Sequence, residues 1–166
     1  MYKKVIIDSC PIIFLSKINA LDILFLLFPG EITTIKKVKD EIEKGFIPVV
    51  ESIEIDKFFN KIEVVDTNKT FISSSTLSRT DNELITYAAN NNFDLMITDD
   101  NLLRRVSLHE KIKTIGTLGL LVQCAKRKIH SPAEIRGFID DLIKKHKLRI
   151  SIELYSNIIS TLDKIN

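Results

Sequence analysis

The sequence predicts an α/β fold with three layers, in which a central parallel sheet of about four to five strands lies between helices. The first observation is a set of short, continuous apolar runs such as Val5–Ile7 and Leu95–Ile97. Such runs, without polar alternation, are typical of parallel strands buried on both faces. The second observation is that amphipathic segments separate these runs. Because consecutive parallel strands need a crossover connection, this alternation indicates helices on both faces of the sheet.

The first predicted strand, Lys3 to Asp8, is expected to be central because Val5–Ile7 is wholly apolar. Asp8 closes this strand. In open α/β sheets, ligands bind in the crevice outside the carboxyl ends of the strands, so a carboxylate at this point is a candidate functional group. Asp8 or Ser9 could equally cap the following helix, with Pro11 in its first turn.

The chain from there to residue 78 is predicted as two buried helices, a strand, two helices, a strand and a polar loop. The predicted bounds are Pro11–Ile18, Ala20–Phe28, Ile32–Ile35, Lys36–Lys44, Pro48–Asn60, Ile62–Val65 and Asp66–Ser78. In the third helix Val38 and Ile42 define the inner stripe. Glu41, three residues after Val38, is expected on the same side or at the edge of that stripe.

The next predicted helix starts near Thr80, an N-cap residue followed three positions later by Glu83, as in a capping box. Asp81 shares the apolar stripe of Leu84 and Ala88 at helical spacing. We therefore expect Asp81 to face inward at the helix start, although an acid there also suits the helix dipole.

A strand over Asp94–Thr98 delivers Asp99 and Asp100 to its carboxyl end. One of these two aspartates could cap the helix predicted at Asn101–His109, but a cap needs only one. The remaining predictions are a strand at Ile112–Ile115, a helix at Gly116–Lys128, a helix opened by Ser131-Pro132-Ala133-Glu134 with N-cap, proline and capping box, and a last helix at about Ile152–Leu162. We expect one domain over residues 1–166, with an α/β core at about 1–128 and a helical C-terminal extension at about 131–166.

Composition and local patterns argue against a disulfide-stapled protein, a secreted protein and a membrane-spanning protein. Cys10 and Cys124 have no paired spacing and are expected to be buried free thiols. Asp8 interrupts the first apolar run too early for a signal peptide, and the run around Leu21–Phe28 is too short to span a membrane, so a cytoplasmic protein without a membrane partner is expected. The sequence contains no P-loop, GxGxxG or GxSxG motif.

Charge is unevenly distributed along the chain. Residues 1–100 carry 11 Lys and Arg against 16 Asp and Glu, whereas residues 101–166 carry 13 against 6. A basic half can attract a polyanion towards an acidic site in the other half, although each basic cluster alone also suits a solvated helix surface. The candidate RNA-binding residues are Arg104, Arg105, Lys126, Arg127 and Lys128.

Five carboxylates fall at strand ends or at core-facing helix positions, and we call them the acidic rim. They are Asp8, Glu41, Asp81, Asp99 and Asp100. Carboxylates held close together repel one another unless a cation joins them, and Mg²⁺ or Mn²⁺ suits an all-oxygen site. Such a metal polarises a phosphate oxygen and activates a water.

The order of these motifs resembles that of the PIN-domain family, in a subgroup of uncharacterised toxin-like proteins. The matching segments are Ile6-Ile7-Asp8-Ser9, Glu41, Asp81-Asn82-Glu83-Leu84-Ile85 with Ala88, Thr98-Asp99-Asp100 and Ile115-Gly116-Thr117-Leu118-Gly119. The resemblance covers nearly the whole chain. It departs at Thr80-Asp81, where Gly-Glu is the usual pair in this subgroup.

The resemblance implies a Mg²⁺- or Mn²⁺-dependent endoribonuclease. It further implies the toxin of a VapC-type toxin–antitoxin pair, acting on RNA as a homodimer and inhibited by a small antitoxin protein. The implied catalytic residues are Asp8, Glu41, Asp81 and Asp100, the implied metal ligands are Asp8, Asp81, Asp99 and Asp100, and the implied accessory residues are Ser9, Glu83, Thr98 and Asp99. Glu83 could substitute for the shorter Asp81.

Two other functions remain open. The first is a PIN-fold module that binds RNA or a protein without cleaving it. The second is a phosphoacceptor or phosphatase domain built on Asp8, but this class expects an Asp-x-Asp pair, and here Ser9 and Cys10 follow Asp8.

Overall fold

The computed structural model describes residues 2–45, 48–67 and 75–165, and these residues form a five-stranded, wholly parallel sheet. The strands are β1 (Lys4–Ile7), β2 (Glu31–Ile35), β3 (Glu63–Val65), β4 (Leu95–Ile97) and β5 (Lys113–Ile115). Their spatial order is β3-β2-β1-β4-β5. The predicted parallel sheet is therefore confirmed, with β1 at its centre.

Helices cover both faces of this sheet. They are α1 (Ser9–Lys17), α2 (Ile23–Leu27), α3 (Lys36–Lys44), α4 (Val49–Phe59), α5 (Arg79–Asn90), α6 (Asn101–His109), α7 (Thr117–Lys126), α8 (Pro132–Lys144) and α9 (Ile152–Asp163). Helix α1 packs against α3, α4 and α7, while α5 packs against α6 and β2. Because parallel crossovers are right-handed, the change of direction after β3 places α5 and α6 on the face opposite α1. The three-layer α/β/α fold is thus confirmed.

The central strand aligns its neighbours in register. Val5 lies opposite Ile32 of β2 and opposite Leu95 of β4, and Val5, Ile6 and Ile7 are fully buried. The ladder continues one residue beyond the strand, because the Asp8 N–H donates to the carbonyl of Ile97 at 2.9 Å. This register brings Asp8 and the residues after β4 to the same edge of the sheet.

The C-terminal extension packs onto α7. Helix α8 begins as its sequence predicts, with Ser131 as N-cap, Pro132 in the first turn and Glu134 completing the capping box. Both α8 and α9 contact α7, and the buried side chains of Ile139 and Leu162 belong to the same apolar cluster as β1. The extension therefore shares the core of the α/β layers.

Some predictions differ from the structure. Helix α1 starts at Ser9 rather than Pro11, because Asp8 caps it, and α2 is limited to five residues. Cys124 is buried as expected, but Cys10 is exposed. Of the loop predicted at Asp66–Ser78, residues 68–74 lie outside the described residues, and Ser78 is a helix cap. In the described part of the chain, every helix is too short or too polar to cross a lipid bilayer.

Candidate active site

Asp8 sits at the carboxyl end of β1 with only 5% of its surface exposed. Its Oδ1 accepts hydrogen bonds from the N–H of Ser9 at 2.6 Å and from the Ser9 hydroxyl at 3.3 Å, and its Oδ2 accepts from the Thr98 hydroxyl at 2.9 Å. The first contact is the helix cap that the sequence allowed. Asp8 is therefore a cap for α1 and also a buried carboxylate linked to β4.

Burial raises the pKa of Asp8 to about 6. The hydrogen bonds from Ser9 and Thr98 oppose this rise, and the negative charge of Asp81 adds to it. The charge of one member of the acidic rim, Asp81, thus contributes to the raised pKa of another, Asp8. Their arrangement disfavours the ionised form of Asp8 unless a positive charge is supplied.

Thr98, directly after β4, connects two members of the acidic rim. Its fully buried hydroxyl donates to Asp8 and accepts from the N–H of Asp100 at 3.1 Å. The Asp100 carboxylate in turn accepts from the N–H of Leu103 at 2.7 Å and caps α6. Of the two adjacent aspartates, Asp99 and Asp100, it is therefore Asp100 that caps α6.

Asp99 is attached to the start of α7 instead. Its carboxylate accepts from the N–H of Thr117 at 2.9 Å and from the Thr117 hydroxyl at 2.5 Å, and Nη2 of Arg104 lies 3.7 Å away. Arg104 also donates from Nε to the carbonyl of Thr98 at 3.0 Å. Gly116 makes room for this cluster, because a Cβ there would lie 2.5 Å from Oδ1 of Asp99.

The charges of three of these carboxylates affect the pKa of the Cys10 thiol. Partial burial raises its pKa to about 11, and the charges of Asp8, Asp99 and Asp100 contribute to that rise. The three acids therefore lie within electrostatic reach of Cys10, in the first turn of α1.

The start of α5 differs from its prediction. Ser78, not Thr80, is the N-cap: its hydroxyl accepts from the N–H of Asp81 at 3.0 Å, and Asp81 accepts from the N–H of Ser78 at 3.3 Å. Asp81 is therefore the acid of the capping box and is only half-buried. The prediction that Glu83 completes a capping box with Thr80 is wrong, because Glu83 is fully buried.

Four residues join α3 to α5, and we call them the α3–α5 clasp: Lys37, Glu41, Thr80 and Glu83. The Thr80 hydroxyl donates to Oε1 of Glu41 at 2.5 Å, and the Lys37 ammonium pairs with Oε1 of Glu83. Glu41 is exposed, so it lies at the edge of the helix stripe rather than inside it, while Val38 and Ile42 are buried as expected.

Glu83 also lies 3.5 Å from Nε of Arg79, but its Oε2 has no hydrogen-bond partner in the described structure. A fully buried carboxylate with one unpartnered oxygen is costly, so the pairing with Lys37 has to offset much of that cost. The predictions from the sequence missed Lys37, the contact of Thr80 with Glu41, and Ser78. Of these, only Ser78 had a local sequence signal, because its Ser-x-x-Asp spacing is typical of a capping box.

The candidate RNA-binding residues occupy different places. Arg104 is at the site, and Arg105 is exposed on α6. Lys126 and Lys128 are exposed at the end of α7, and Arg127 donates from Nη1 to the carbonyl of Leu27 at 2.8 Å. Arg127 also lines a cavity with residues that precede the strands, so it lies at the edge of the sheet opposite Asp8.

The acidic rim has the donor chemistry of a divalent-metal site. It supplies only carboxylate oxygens, as Mg²⁺ and Mn²⁺ prefer, and the raised pKa of Asp8 marks a position where a cation would be favoured. Among the described residues, no three His, Cys, Asp or Glu side chains are close enough to hold a metal ion as they stand. The residue types fit such an ion, while Glu41, Asp81, Asp99 and Asp100 are engaged in hydrogen bonds within the protein.

Two of the solved structures share the fold of this chain. The PilT N-terminus domain protein SSO1118 from Sulfolobus solfataricus P2 has 16% sequence identity and a TM-score of 0.54, covering 72% of this chain and 92% of its own. PAE2754 from Pyrobaculum aerophilum has 14% identity and a TM-score of 0.55, covering 74% of this chain and 90% of its own. At these identities the likeness concerns the fold alone.

No curated protein matches the chain in sequence. A family model does: DUF3368, described as a PIN domain, matches residues 4–164. The match includes the whole acidic rim and all but the last two residues of the C-terminal extension, and it agrees with the motif order in the sequence and with the parallel sheet. This chain belongs to the PIN domain family.

Proposed function

We propose that this protein is a Mg²⁺- or Mn²⁺-dependent endoribonuclease whose active site is the acidic rim. The observation that carries the proposal is the buried carboxylate of Asp8 at the end of the central strand, with a pKa raised to about 6 by burial and with the charge of Asp81 acting on it. Such a group is disfavoured in its ionised form without a cation. Membership of the PIN domain family supports nucleic acid as the substrate.

In this proposal Asp8, Asp81, Asp99 and Asp100 hold the divalent ion, and Glu41 orients the attacking water. The ion, when bound, polarises the phosphate oxygens and lowers the pKa of water. Hydrolysis forms a bond between the water oxygen and phosphorus and breaks the bond from phosphorus to the leaving ribose oxygen, which takes up a proton.

The neighbouring polar residues position these carboxylates. Ser9 and Thr98 fix the two oxygens of Asp8, and Thr80 fixes one oxygen of Glu41. Hydrogen bonds of this kind orient ligating carboxylates and affect metal affinity. Glu83 acts through Lys37 in this proposal, because its buried carboxylate pairs with the ammonium of Lys37, which precedes Glu41 by four residues on α3.

The toxin role is a separate part of the proposal. It rests on the resemblance of the motifs to VapC-type proteins and includes a homodimer, a small antitoxin and a cytoplasmic location. Three exposed apolar residues of α4, Val49, Val50 and Ile53, offer a surface for a second copy. Light scattering of the purified protein tests the dimer, and growth arrest on induced expression tests the toxicity.

The decisive experiment measures cleavage of a labelled structured RNA with Mn²⁺ or Mg²⁺ and with EDTA. We expect wild type to cleave, Asp8→Asn to be inactive and EDTA to abolish cleavage. Asp56→Asn is the matched control, because Asp56 is an exposed acid on α4. Calorimetric titration with Mn²⁺ should show binding that Asp8→Asn weakens. Equal cleavage by wild type and Asp8→Asn would contradict the proposal.

A non-cleaving RNA-binding module is the second candidate. It is favoured by the hydrogen bonds that already engage Glu41, Asp81, Asp99 and Asp100, and by the lack of a ready cluster of three donors in the described residues. If wild type binds RNA, takes up no Mn²⁺ and leaves the RNA intact, this second function is the correct one.

A further inference from the structure

A groove runs beside α7 and ends at the acidic rim. Its cavity of about 580 Å³ lies between α6, β5 and α7 on one side and residues 148–161 of the C-terminal extension on the other. Asp99 and Gly116 line one end, and Lys126, ten residues along the chain from Gly116, lines the other. At a rise of about 1.5 Å per residue the groove is roughly 15 Å long. We call it the α7 groove.

The charge of the α7 groove is positive. Arg104, Lys126 and Arg149 line it, against a single lining acid, Asp99. The charge of Asp99 is already compensated, because it accepts two hydrogen bonds from Thr117 and lies beside Arg104. Lys126 has no ion pair within the described residues, and the same holds for Arg149. Two uncompensated cations therefore face the groove.

The uncharged lining suits a nucleotide chain. The side-chain amides of Asn101, Gln123 and Asn157 can both donate and accept hydrogen bonds, as recognition of ribose hydroxyls and base edges requires. Aliphatic side chains, including Val122 and Ile158, form the apolar part of the lining. The cavity volume of about 580 Å³ lies in the range of small-molecule pockets, so the groove suits a single RNA chain better than a duplex.

We propose that the α7 groove binds the sugar-phosphate backbone of a single-stranded RNA segment next to the scissile bond, with Lys126 and Arg149 contacting its phosphates. The inference rests on the proposed ribonuclease function, because it is the continuity with Asp99 that favours RNA over an acidic peptide as the occupant. It gives the C-terminal extension a role in holding substrate, and it assigns Arg149, which no sequence motif singled out, to RNA binding.

The test is the salt dependence of binding to a fluorescein-labelled single-stranded RNA of about ten nucleotides, a length within the usual range of single-strand sites. Fluorescence anisotropy in EDTA excludes cleavage. The variants are Lys126→Ala, Arg149→Ala and the double variant. Lys164→Ala is the control, because Lys164 is an exposed cation of the same extension outside the groove.

Each groove variant should bind more weakly, and the slope of log affinity against log salt should become shallower by about 0.7 for each phosphate that the variant no longer neutralises. The weakening should be similar for different RNA sequences, since binding to phosphates carries no sequence information. Lys164→Ala should behave as wild type, and circular dichroism melting should show that all variants are folded.

Three results would overturn the groove assignment: unchanged salt slopes in both groove variants, equally tight binding of duplex RNA, or equal competition by an acidic peptide. Cleavage with Mn²⁺, measured in the same variants, separates this inference from the proposed function. Unchanged slopes with retained cleavage by wild type refute the groove alone. Shallower slopes without any cleavage by wild type refute the nuclease alone.

Discussion

The Thr80 hydroxyl on α5 donates a 2.5 Å hydrogen bond to Oε1 of Glu41 on α3. The two helices lie on opposite faces of the sheet, so this contact crosses the carboxyl edge where Asp8 lies. Glu41 is otherwise exposed, and Thr80 is buried. The hydrogen bond therefore gives a surface carboxylate one preferred orientation.

Thr80→Val tests this orientation. If Glu41 orients the attacking water as proposed, loss of the hydroxyl should lower the rate of RNA cleavage by about tenfold, which is the lower end of the effect of removing such a supporting hydrogen bond. Thr80→Ser should restore the rate, because it keeps the hydroxyl. Cleavage assays with Mn²⁺ measure both variants, and a wild-type rate in Thr80→Val would show that Glu41 needs no support from Thr80.

Substitutions of Lys37 and Glu83 should have non-additive effects on the free energy of unfolding. Lys37→Met leaves the buried Glu83 carboxylate with Arg79 alone, so we expect the free energy of unfolding to fall by about 1–3 kcal/mol, below the full value for a buried pair because Lys37 is 31% exposed. Glu83→Gln in the same background should recover part of this loss. Urea denaturation of the double-mutant cycle gives the coupling.

The exposed Lys39–Glu43 pair on the same helix is the control for that cycle. Its coupling should be below about 0.5 kcal/mol. Equal coupling in the two cycles would show that burial of Glu83 has no energetic consequence.

Gly116→Ala should destabilise the protein through a close approach rather than through backbone strain. Its φ of −107° is open to any residue, but the new Cβ would lie 2.5 Å from Oδ1 of Asp99 and would also collide with the Arg104 guanidinium. Both groups are the ends of side chains that can shift, so the cost should be about 1 kcal/mol, from weakening of the hydrogen bonds between Asp99 and Thr117. Gly137→Ala in α8, where a Cβ meets nothing within 4 Å, should instead stabilise the protein by about 0.5–1 kcal/mol. Opposite shifts in melting temperature are expected, and shifts of the same sign would contradict this explanation.

In the metal-free protein, Asp8→Asn should become more stable relative to wild type as the pH rises, because Asn carries no buried charge, although its NH₂ group cannot accept the hydrogen bond from Thr98. The pKa of Asp8 rises from 3.8 to about 6 in the folded state, so the folded state holds a proton that the unfolded state has lost between these values. The stability that this group contributes is therefore complete below pH 3.8 and disappears as the pH rises through 6. At about 1.4 kcal/mol per pKa unit, ionised Asp8 lowers the free energy of unfolding by about 2–3 kcal/mol.

Urea denaturation in EDTA, at several values between about pH 4 and pH 7.5, measures this effect. The advantage of Asp8→Asn over wild type should grow across that range, whereas Asp56→Asn should follow wild type. Parallel curves for wild type and Asp8→Asn would mean that burial does not disfavour the Asp8 charge.

Two substitutions of Asp100 can separate its role as the cap of α6 from its proposed role as a metal ligand. Asn caps a helix about as well as Asp, so Asp100→Asn should keep the capping of α6 and leave the free energy of unfolding within a few tenths of a kcal/mol of wild type. It should nevertheless weaken Mn²⁺ binding, because a charged ligand is removed. Asp100→Ala should abolish both roles, at a cost of about 1 kcal/mol of stability. If Asp100→Asn binds Mn²⁺ as wild type does, Asp100 is a helix cap and not a metal ligand.

The fold was predictable because the sequence patterns that predict its strands and helix starts each lie within a few consecutive residues. The apolar run of β1 predicts a central strand, and Ser131, Pro132 and Glu134 predict the start of α8, where the structure has all three in those roles. The same kind of signal was ambiguous at α5. Ser78 and Thr80 each have an acid three residues later, and the choice between them depends on the burial of Glu83 beside Lys37.

The candidate site was predictable in its residue types and less so in its contacts. The sequence predicted carboxylates at the ends of the strands but no strand order, so the hydrogen bond from Thr98 to Asp8 is seen only in the structure. The contact of Thr80 with Glu41 links residues 39 positions apart on different layers, and it follows from packing rather than from any sequence pattern. For the same reason the α7 groove, whose second wall comes from residues 148–161, has no signature in the sequence.

The pairing of β1 with β4 has a consequence for synthesis of the protein. Val5 pairs with Leu95, and the Thr98 hydroxyl that binds Asp8 lies 90 residues along the chain from it. At about 5–20 residues per second, a ribosome needs roughly 5–20 s to make that intervening stretch. During this interval the strand Val5–Ile7 has an unpaired edge, because β2 can cover only one side. The nascent chain therefore exposes one edge of its central strand to chaperones, or to aggregation, until the second half of the sheet emerges.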